Sequence, residues 1–254
     1  MTQATDADGY SLAFGYDAAD RVSSAQDKDG HSVSSARDID GQPRSVTDPN
    51  GNSTAYSYWD ASRDGRLKQT IDAANHATTL DYDVNGNVTS VTDNLGRVTL
   101  TQYDELNRPV RIVGPQYTDA ALGNIRPVTT FTYDSLGNRT QVAARYTTDS
   151  TGTNPASDVL INVQLTTVYD DFGRKLKDTD ALAKSGYQYD VNNNVIQAID
   201  RKNQTTTLTW DAEHQLKTVK DASNQITTYT RNGLGQVTQV QAPQVVYGYQ
   251  YDAG

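Results

Sequence analysis

A short phrase built around Tyr-Asp recurs along this chain about every 21 residues. Its clearest copy is Tyr82-Asp83-Val84-Asn85-Gly86-Asn87-Val88, with Val91 and Asp93 following. It returns at Tyr103-Asp104, at Tyr133-Asp134 with Gly137, at Tyr169-Asp170 with Gly173, at Tyr189-Asp190 and at Trp210-Asp211. Tyr16-Asp17 and Tyr251-Asp252 mark the first and last copies. A fixed period of this size identifies a repetitive architecture, in which each unit buries its surface only by stacking on the next. It also leaves few unique positions for a catalytic centre.

Aligned on the aromatic position, the units fall at Tyr16, Arg37, Trp59, Tyr82, Tyr103, Tyr133, Tyr169, Tyr189, Trp210, Arg231 and Tyr251. The steps lie between 20 and 23 residues, apart from two of 30 and 36. Arg37 and Arg231 break the aromatic rule and read as decayed copies. The unit at Trp59 carries two extra residues before Gly65. In the second half of seven units an Asp recurs, at Asp27, Asp48, Asp72, Asp93, Asp180, Asp200 and Asp221, while Gly114, Ala144 and Ala242 hold that place in the other three complete units. Each unit therefore holds two turn signals about ten residues apart.

Asp-x-x-Gly has a mechanism. Asp at the first turn position bonds its side chain to the backbone two residues on. Gly at the fourth takes a conformation that a side chain penalises. The intervening segments, such as Val98–Tyr103 and Thr205–Trp210, are rich in the Thr, Val and aromatic residues that suit pleated strands. Leu80 and Tyr82 share a face by the two-residue rule, whereas Val88 and Val91 do so only if a bulge intervenes.

The pattern predicts an all-β fold of tandem antiparallel hairpins. It reads as one array over residues 1–254, a piece of a longer chain, with loop insertions near 114–128 and 146–162. Residues 118–122 and 179–184 each suit a single helical turn. Two strands per unit, spaced about 4.8 Å apart, give about 10 Å of sheet per unit. Twisted open sheets rarely exceed about ten strands without curling, so the sheet is expected to curve into a tube, spiral or shell wall. A parallel β-helix, whose coils are of similar length, is the alternative architecture.

Composition narrows the function. The chain has 22 basic and 31 acidic residues, a net charge of −9, which argues against nucleic acid as a partner. It has no apolar run of about 20 residues, so no membrane span is expected. The N-terminus lacks the basic and apolar regions of a signal peptide. Absence of Cys removes disulfides and thiol nucleophiles. Hydrophobic residues make up 35 %, with 16 Tyr against 3 Phe and 2 Trp, so rows of Tyr are expected rather than a solid apolar core.

The string Tyr-Asp-x-x-Gly-x-Val, in register about every 21 residues with a trailing Asp, resembles the YD repeat of the RHS family. That family includes bacterial polymorphic toxins, the C component of insecticidal toxin complexes, and the teneurins. The resemblance runs from about Phe14 to Asp252. It implies a β-sheet that spirals into a hollow shell, which in bacterial members encloses a C-terminal toxin until delivery. On that basis the expected role is a non-enzymatic shell segment of a secreted toxin, its partners the rest of its own shell and an enclosed toxin domain. The self-cleaving aspartyl protease region that ends bacterial shells is missing, so no protease residue is carried over.

No catalytic, cofactor or metal residues are expected. Asp6-Ala7-Asp8-Gly9, Asp27-Lys28-Asp29-Gly30 and Asp38-Ile39-Asp40-Gly41 have the outline of calcium loops, but Ala4, Ala25 and Ala36 stand where the first ligand belongs. They read as ordinary Asp-Gly turns. His31, His76 and His214 lie in or beside predicted turns and read as solvated. Carboxylate pairs recur with the scaffold, whereas an acid–base pair should be unique. The alternative function is an extracellular module that binds glycan or protein, with Tyr56, Tyr58, Trp59 and Trp210 as the sugar-stacking platform. Open sheet edges also predict self-association.

Overall fold

The computed structural model describes residues 2–5, 11–61 and 64–251. Asp252 and the stretch Asp6-Ala7-Asp8-Gly9 lie outside the described residues. The described residues form 23 strands and no α-helix. They fall into two compact units, residues 1–128 with 147–158, and residues 129–146 with 159–254.

The first unit holds β1 (Thr2–Thr5), β2 (Ser11–Tyr16), β3 (Val22–Gln26), β4 (Ser32–Arg37), β5 (Pro43–Thr47), β6 (Ser53–Tyr58), β7 (Leu67–Ile71), β8 (Ala77–Tyr82), β9 (Val88–Thr92), β10 (Val98–Tyr103) and β11 (Pro109–Val113). Each pairs antiparallel with the next. Next come β12 (Tyr117–Asp119) and β13 (Gly123–Tyr133), which runs on into the second unit, followed there by β14 (Arg139–Thr147). The second unit continues with β15 (Asp158–Tyr169), β16 (Lys175–Thr179), β17 (Lys184–Tyr189), β18 (Val195–Ile199), β19 (Thr205–Trp210), β20 (Leu216–Lys220), β21 (Ile226–Arg231), β22 (Val237–Ala242) and β23 (Val245–Gly248). From β15 to β23 the pairing is again antiparallel between neighbours. The fold is all-β and built of hairpins. Antiparallel ladders set aside the parallel β-helix.

A bulge recurs at one place in the hairpins that the Tyr-Asp turn closes. Leu80 faces Val91 and Asp81 faces Ser90, but Tyr82 then faces Val88, leaving Thr89 without a partner. The bulge puts Leu80, Tyr82, Val88 and Val91 on one face, which strict alternation denies to the two valines. The shift recurs at Tyr16, Arg37, Tyr103, Tyr169, Tyr189, Trp210 and Arg231.

One unit departs from the sequence alignment. There the bulge precedes Tyr58, which pairs with Leu67, while Trp59 donates its N–H to the Arg66 carbonyl from the place that Asp holds elsewhere. Tyr58 is the slot residue and Trp59 stands in for the turn Asp. A Tyr-Trp pair hides this, because either ring satisfies the motif.

The insertions also differ from expectation. Residues 118–122 make no helical turn: Tyr117 pairs with Ile125 and Asp119 with Gly123 in a small hairpin. Residues 179–184 close a tight turn, with Ala183 pairing back to Asp180. In both, an Asp carboxylate draws two backbone N–H groups inward, from Ala121 and Leu122 and from Leu182 and Ala183, which favours a turn over a helix. The second insertion is a loop with a 3-10 turn at Pro155–Ser157.

Most strand residues are half-buried. Among the described residues the buried apolar side chains are Val113, Ile125 and Val128 in the first unit and Ala143 in the second. In the first unit the buried positions thus lie within or beside the first insertion.

Candidate functional site

The repeat turn is the chemistry that this chain multiplies. At Asp83 the carboxylate oxygen Oδ1 accepts the N–H groups of Asn85 and Asn87 at 3.0 and 2.8 Å, and Oδ2 accepts the Asn87 amide at 2.8 Å. The backbone closes beneath it, Gly86 N–H donating to the Asp83 carbonyl and Asp83 N–H to that of Asn87. This is a type I turn followed by a left-handed residue. Gly86 takes that position at φ +92°, and Asn107, Asn193 and His214 take it at 60–70°. Asp17, Asp104, Asp134, Asp170, Asp190 and Asp211 hold their turns in the same way.

The slot residue carries the second recurring bond. The ladder between β9 and β10 ends at the Ser90–Leu100 pair, so the Val88 carbonyl lies beyond it. Tyr103 Oη donates to that carbonyl at 2.9 Å. Tyr82 does the same for Leu67 at 2.8 Å, Tyr189 for Lys175 at 3.0 Å and Tyr251 for Val237 at 2.8 Å. Trp210 uses Nε1 on Val195 at 2.8 Å, and Arg231 uses Nη1 on Leu216 at 2.7 Å. Tyr169 reaches Arg139 at 3.5 Å. Arg231 is therefore no decayed copy. The slot asks for a long side chain that ends in a donor, and a guanidinium meets that need. Arg37 differs, because it bonds Gly41 within its own turn. Trp59 donates forward, to the Leu80 carbonyl at 3.1 Å.

Consecutive turns touch along this edge. Arg66 donates to the Asp83 carbonyl at 3.1 Å, and Asn87 donates to Asn107 at 2.7 Å. In the second unit Arg174 reaches Asn193 at 2.8 Å, and the Asn194 amide lies 3.1 Å from His214 Nδ1. A Cβ on Gly86 would stand 2.8 Å from the Arg66 guanidinium. The glycine thus serves its neighbour as well as its own φ.

A separate cluster locks the second insertion onto the first unit. Arg111 and Asp158 form a bidentate pair at 2.7 and 2.6 Å, each side chain 4 % exposed. Arg111 Nη1 also donates to the Gly152 carbonyl at 2.7 Å. Arg126 spends its three nitrogens on the carbonyls of Gly114, Thr151 and Val98. Burial lowers the pKa of Arg126 from its ordinary value. Gly152 leaves no room for a Cβ, with Arg126 at 2.8 Å and Val113 at 3.0 Å. Sequence reading missed this cluster, since Arg111, Arg126 and Asp158 follow no repeat. The one hint is that the array departs from its pattern at Gly114, where every neighbouring copy has Asp or Ala.

The RHS repeat model matches residues 1–32, 38–77, 62–93, 82–119 and 210–244, together more than half of the chain. The chain belongs to the RHS repeat family. No curated protein sequence matches it. Among solved structures it is similar to a Photorhabdus luminescens Tc holotoxin pore, at 16 % identity and a TM-score of 0.43, covering 94 % of this chain and 14 % of that one. It is also similar to TcdB2-TccC3, at 14 % identity and a TM-score of 0.43, with 94 % and 17 % covered. A porin-like protein from Bacteroides uniformis follows at 10 % identity and a TM-score of 0.29, with 94 % and 92 % covered. The chain spans less than a fifth of the two toxin structures. Family membership rests on the repeat match rather than on these likenesses.

The RHS turns account for the remaining candidates. His31 and His76 each close a second-row turn, with Nδ1 3.1 Å from Asp27 and Asp72 respectively. Asp27 and Asp38 aim Oδ1 at the backbone N–H of His31 and Gln42, the same use that the other turns make of Asp. Among the described residues no three His, Cys, Asp or Glu side chains gather where a metal ion would fit. Of the sugar-platform residues, Trp59 and Trp210 commit their indole N–H to backbone carbonyls, and the Lys68 ammonium lies 4.5 Å from the Trp59 ring centre.

These turns predict an acid limit. The Asn87 amide, with the N–H groups of Asn87 and Asn85, holds the Asp83 carboxyl below the usual range. Asn52 does the same for Asp48, Asn138 for Asp134 and Asn194 for Asp190. Asn154 N–H leads the donors that bring Asp149 from 3.8 down to about 2. A carboxyl depressed in the fold contributes stability above its unfolded pKa, and that contribution is lost as pH falls through the folded value. Thermal unfolding followed by circular dichroism should therefore be stable with pH down to about 4 and weaken steeply between about pH 4 and 2. A midpoint unchanged at pH 2.5 would contradict the role given to these carboxylates.

Proposed function

We propose that the chain is a non-enzymatic wall segment of a secreted RHS-type toxin, acting as one array with the rest of its shell to enclose an effector domain. One observation supports this best. The carboxylates and donor side chains that the repeat multiplies are spent on the turns themselves or on the backbone of the adjoining hairpin. An assembly so arranged extends a barrier and leaves little to bind or activate a substrate. The buried arginines follow the same rule, each satisfied by backbone or by Asp158. Glycan recognition by stacking on Tyr56, Tyr58, Trp59 and Trp210 is less favoured, because the Arg44 guanidinium and the Lys68 ammonium already lie over the Tyr58 and Trp59 rings, 5.4 and 4.5 Å from their centres.

The test is protection of cargo in the longer polypeptide that this role requires. Limited proteolysis should spare a C-terminal effector while the wall is intact. Alanine at Tyr82 and Tyr189 together should expose it at lower protease concentrations. An effector digested equally fast with the parent wall and without any wall would overturn the reading.

A further inference from the structure

Asparagine followed by glycine is a chemically labile pair, because glycine puts no side chain in the way of attack by its own nitrogen. This chain holds three such pairs, Asn50-Gly51, Asn85-Gly86 and Asn232-Gly233. The fold treats them differently. Asn50 and Asn85 stand third in their turns, so the glycine that follows each stands fourth. Its N–H closes the turn, Gly51 donating to the Asp48 carbonyl at 3.0 Å and Gly86 to that of Asp83 at 3.2 Å. Asn232 instead stands first, in the place that Asp83 and Asp211 hold in their own turns. Its turn is closed by the N–H of Gly235, at 2.9 Å. Gly233 is left at the second position, exposed, and among the described residues its N–H has no acceptor.

The Asn232 side chain is also polarised. Its Oδ1 accepts the N–H groups of Leu234 and Gln236, both at 3.0 Å, and its Nδ2 donates to Gln236 Oε1 at 2.8 Å. Two donors on a carbonyl oxygen draw charge from its carbon and take up the negative charge that develops as a nucleophile adds. A half-buried electrophile and an unoccupied backbone nitrogen therefore lie on adjacent residues.

We propose that Asn232 is the deamidation site of the folded chain. Solvent hydroxide removes the Gly233 amide proton, and the nitrogen attacks Cγ of Asn232. The new Cγ–N bond forms, the bond to Nδ2 breaks, and Nδ2 leaves as ammonia with a proton from water. Water then opens the cyclic imide. Attack at Cγ breaks the new bond and leaves aspartate, whereas attack at the main-chain carbonyl carbon gives isoaspartate. Aspartate is the product that the turn accepts. It keeps an oxygen for both N–H donors, and the chain already builds such a turn at Asp211, whose Oδ1 accepts the Gln215 N–H at 2.7 Å. Isoaspartate would add a carbon to the main chain inside the loop that Gly235 closes. The reaction thus supplies a carboxylate at a copy of the repeat that lacks one.

Peptide mass spectrometry on the whole chain, held in mildly alkaline buffer, follows all three pairs at once. In the folded chain Asn232 should convert about fivefold faster than Asn50 or Asn85, the factor that one net hydrogen bond represents. In concentrated urea, where no turn selects among them, the three rates should converge. Gly233→Ala should slow conversion at Asn232 alone, and the added methyl meets nothing within 4 Å, so the turn is kept. Asn232→Asp should fold as the parent does, with the same urea midpoint. Asn50 or Asn85 converting as fast as Asn232 in the folded chain would overturn the proposal. So would a lead for Asn232 that is equally large in urea. An Asn232→Asp chain that melts well below the parent would overturn aspartate as the accepted product.

Discussion

Asp158→Ala is expected to destabilise the chain by about 3–5 kcal/mol, the cost of breaking a buried ion pair from one side. Its removal leaves the Arg111 guanidinium 4 % exposed and facing no carboxylate. The loss should not be confined to one bond, because Arg111 also holds the Gly152 carbonyl and so fixes the loop over Val113. Replacing both partners, Arg111→Met with Asp158→Leu, should recover most of the stability, since apolar substitutes need no desolvated charge. Urea melts of the two variants check this. A single variant within about 1 kcal/mol of the parent would mean that the pair is weaker than its burial implies.

The second large effect is expected at the slot. Tyr82→Ala and Tyr189→Ala should each cost about 3 kcal/mol, the low end of the range for emptying a large aromatic site, because each ring is only half-buried. Part of that loss is the hydrogen bond. Tyr82→Phe keeps the ring but strands the Leu67 carbonyl, and should cost about 1 kcal/mol. Burial raises the pKa of the Tyr82 hydroxyl, so the bond persists well past neutral pH. Equal melting of the Phe variant and the parent would remove the hydroxyl from the account.

Much of this was legible in the sequence, and for a physical reason. Turn chemistry is local: Asp at the first position and Gly or Asn at the fourth declare the hairpins of Asp83, Asp104 and Asp134 without help from distant residues. The Val88–Val91 spacing announced the bulge that the pairing then displays. What the sequence hid was of two kinds. Chemical equivalence concealed Arg231, because a guanidinium and a phenol look unlike until both are seen donating to the same kind of carbonyl. It also concealed the shift at Tyr58, where two adjacent rings compete for one slot. Long-range pairing concealed the rest. Arg111 and Asp158 lie 47 residues apart, and Arg126 binds only carbonyls, which have no side-chain signature.

The central claim is that the slot couples hairpin to hairpin through a donor rather than through a ring. Arg231 tests it most directly, because it is the copy that lacks the ring and keeps the bond. Urea melts of Arg231→Tyr and Arg231→Met should separate, with the Tyr variant within about 0.5 kcal/mol of the parent and the Met variant weaker by about 1–2 kcal/mol. A Met variant as stable as the parent, or a Tyr variant that falls as far as Met, would contradict it.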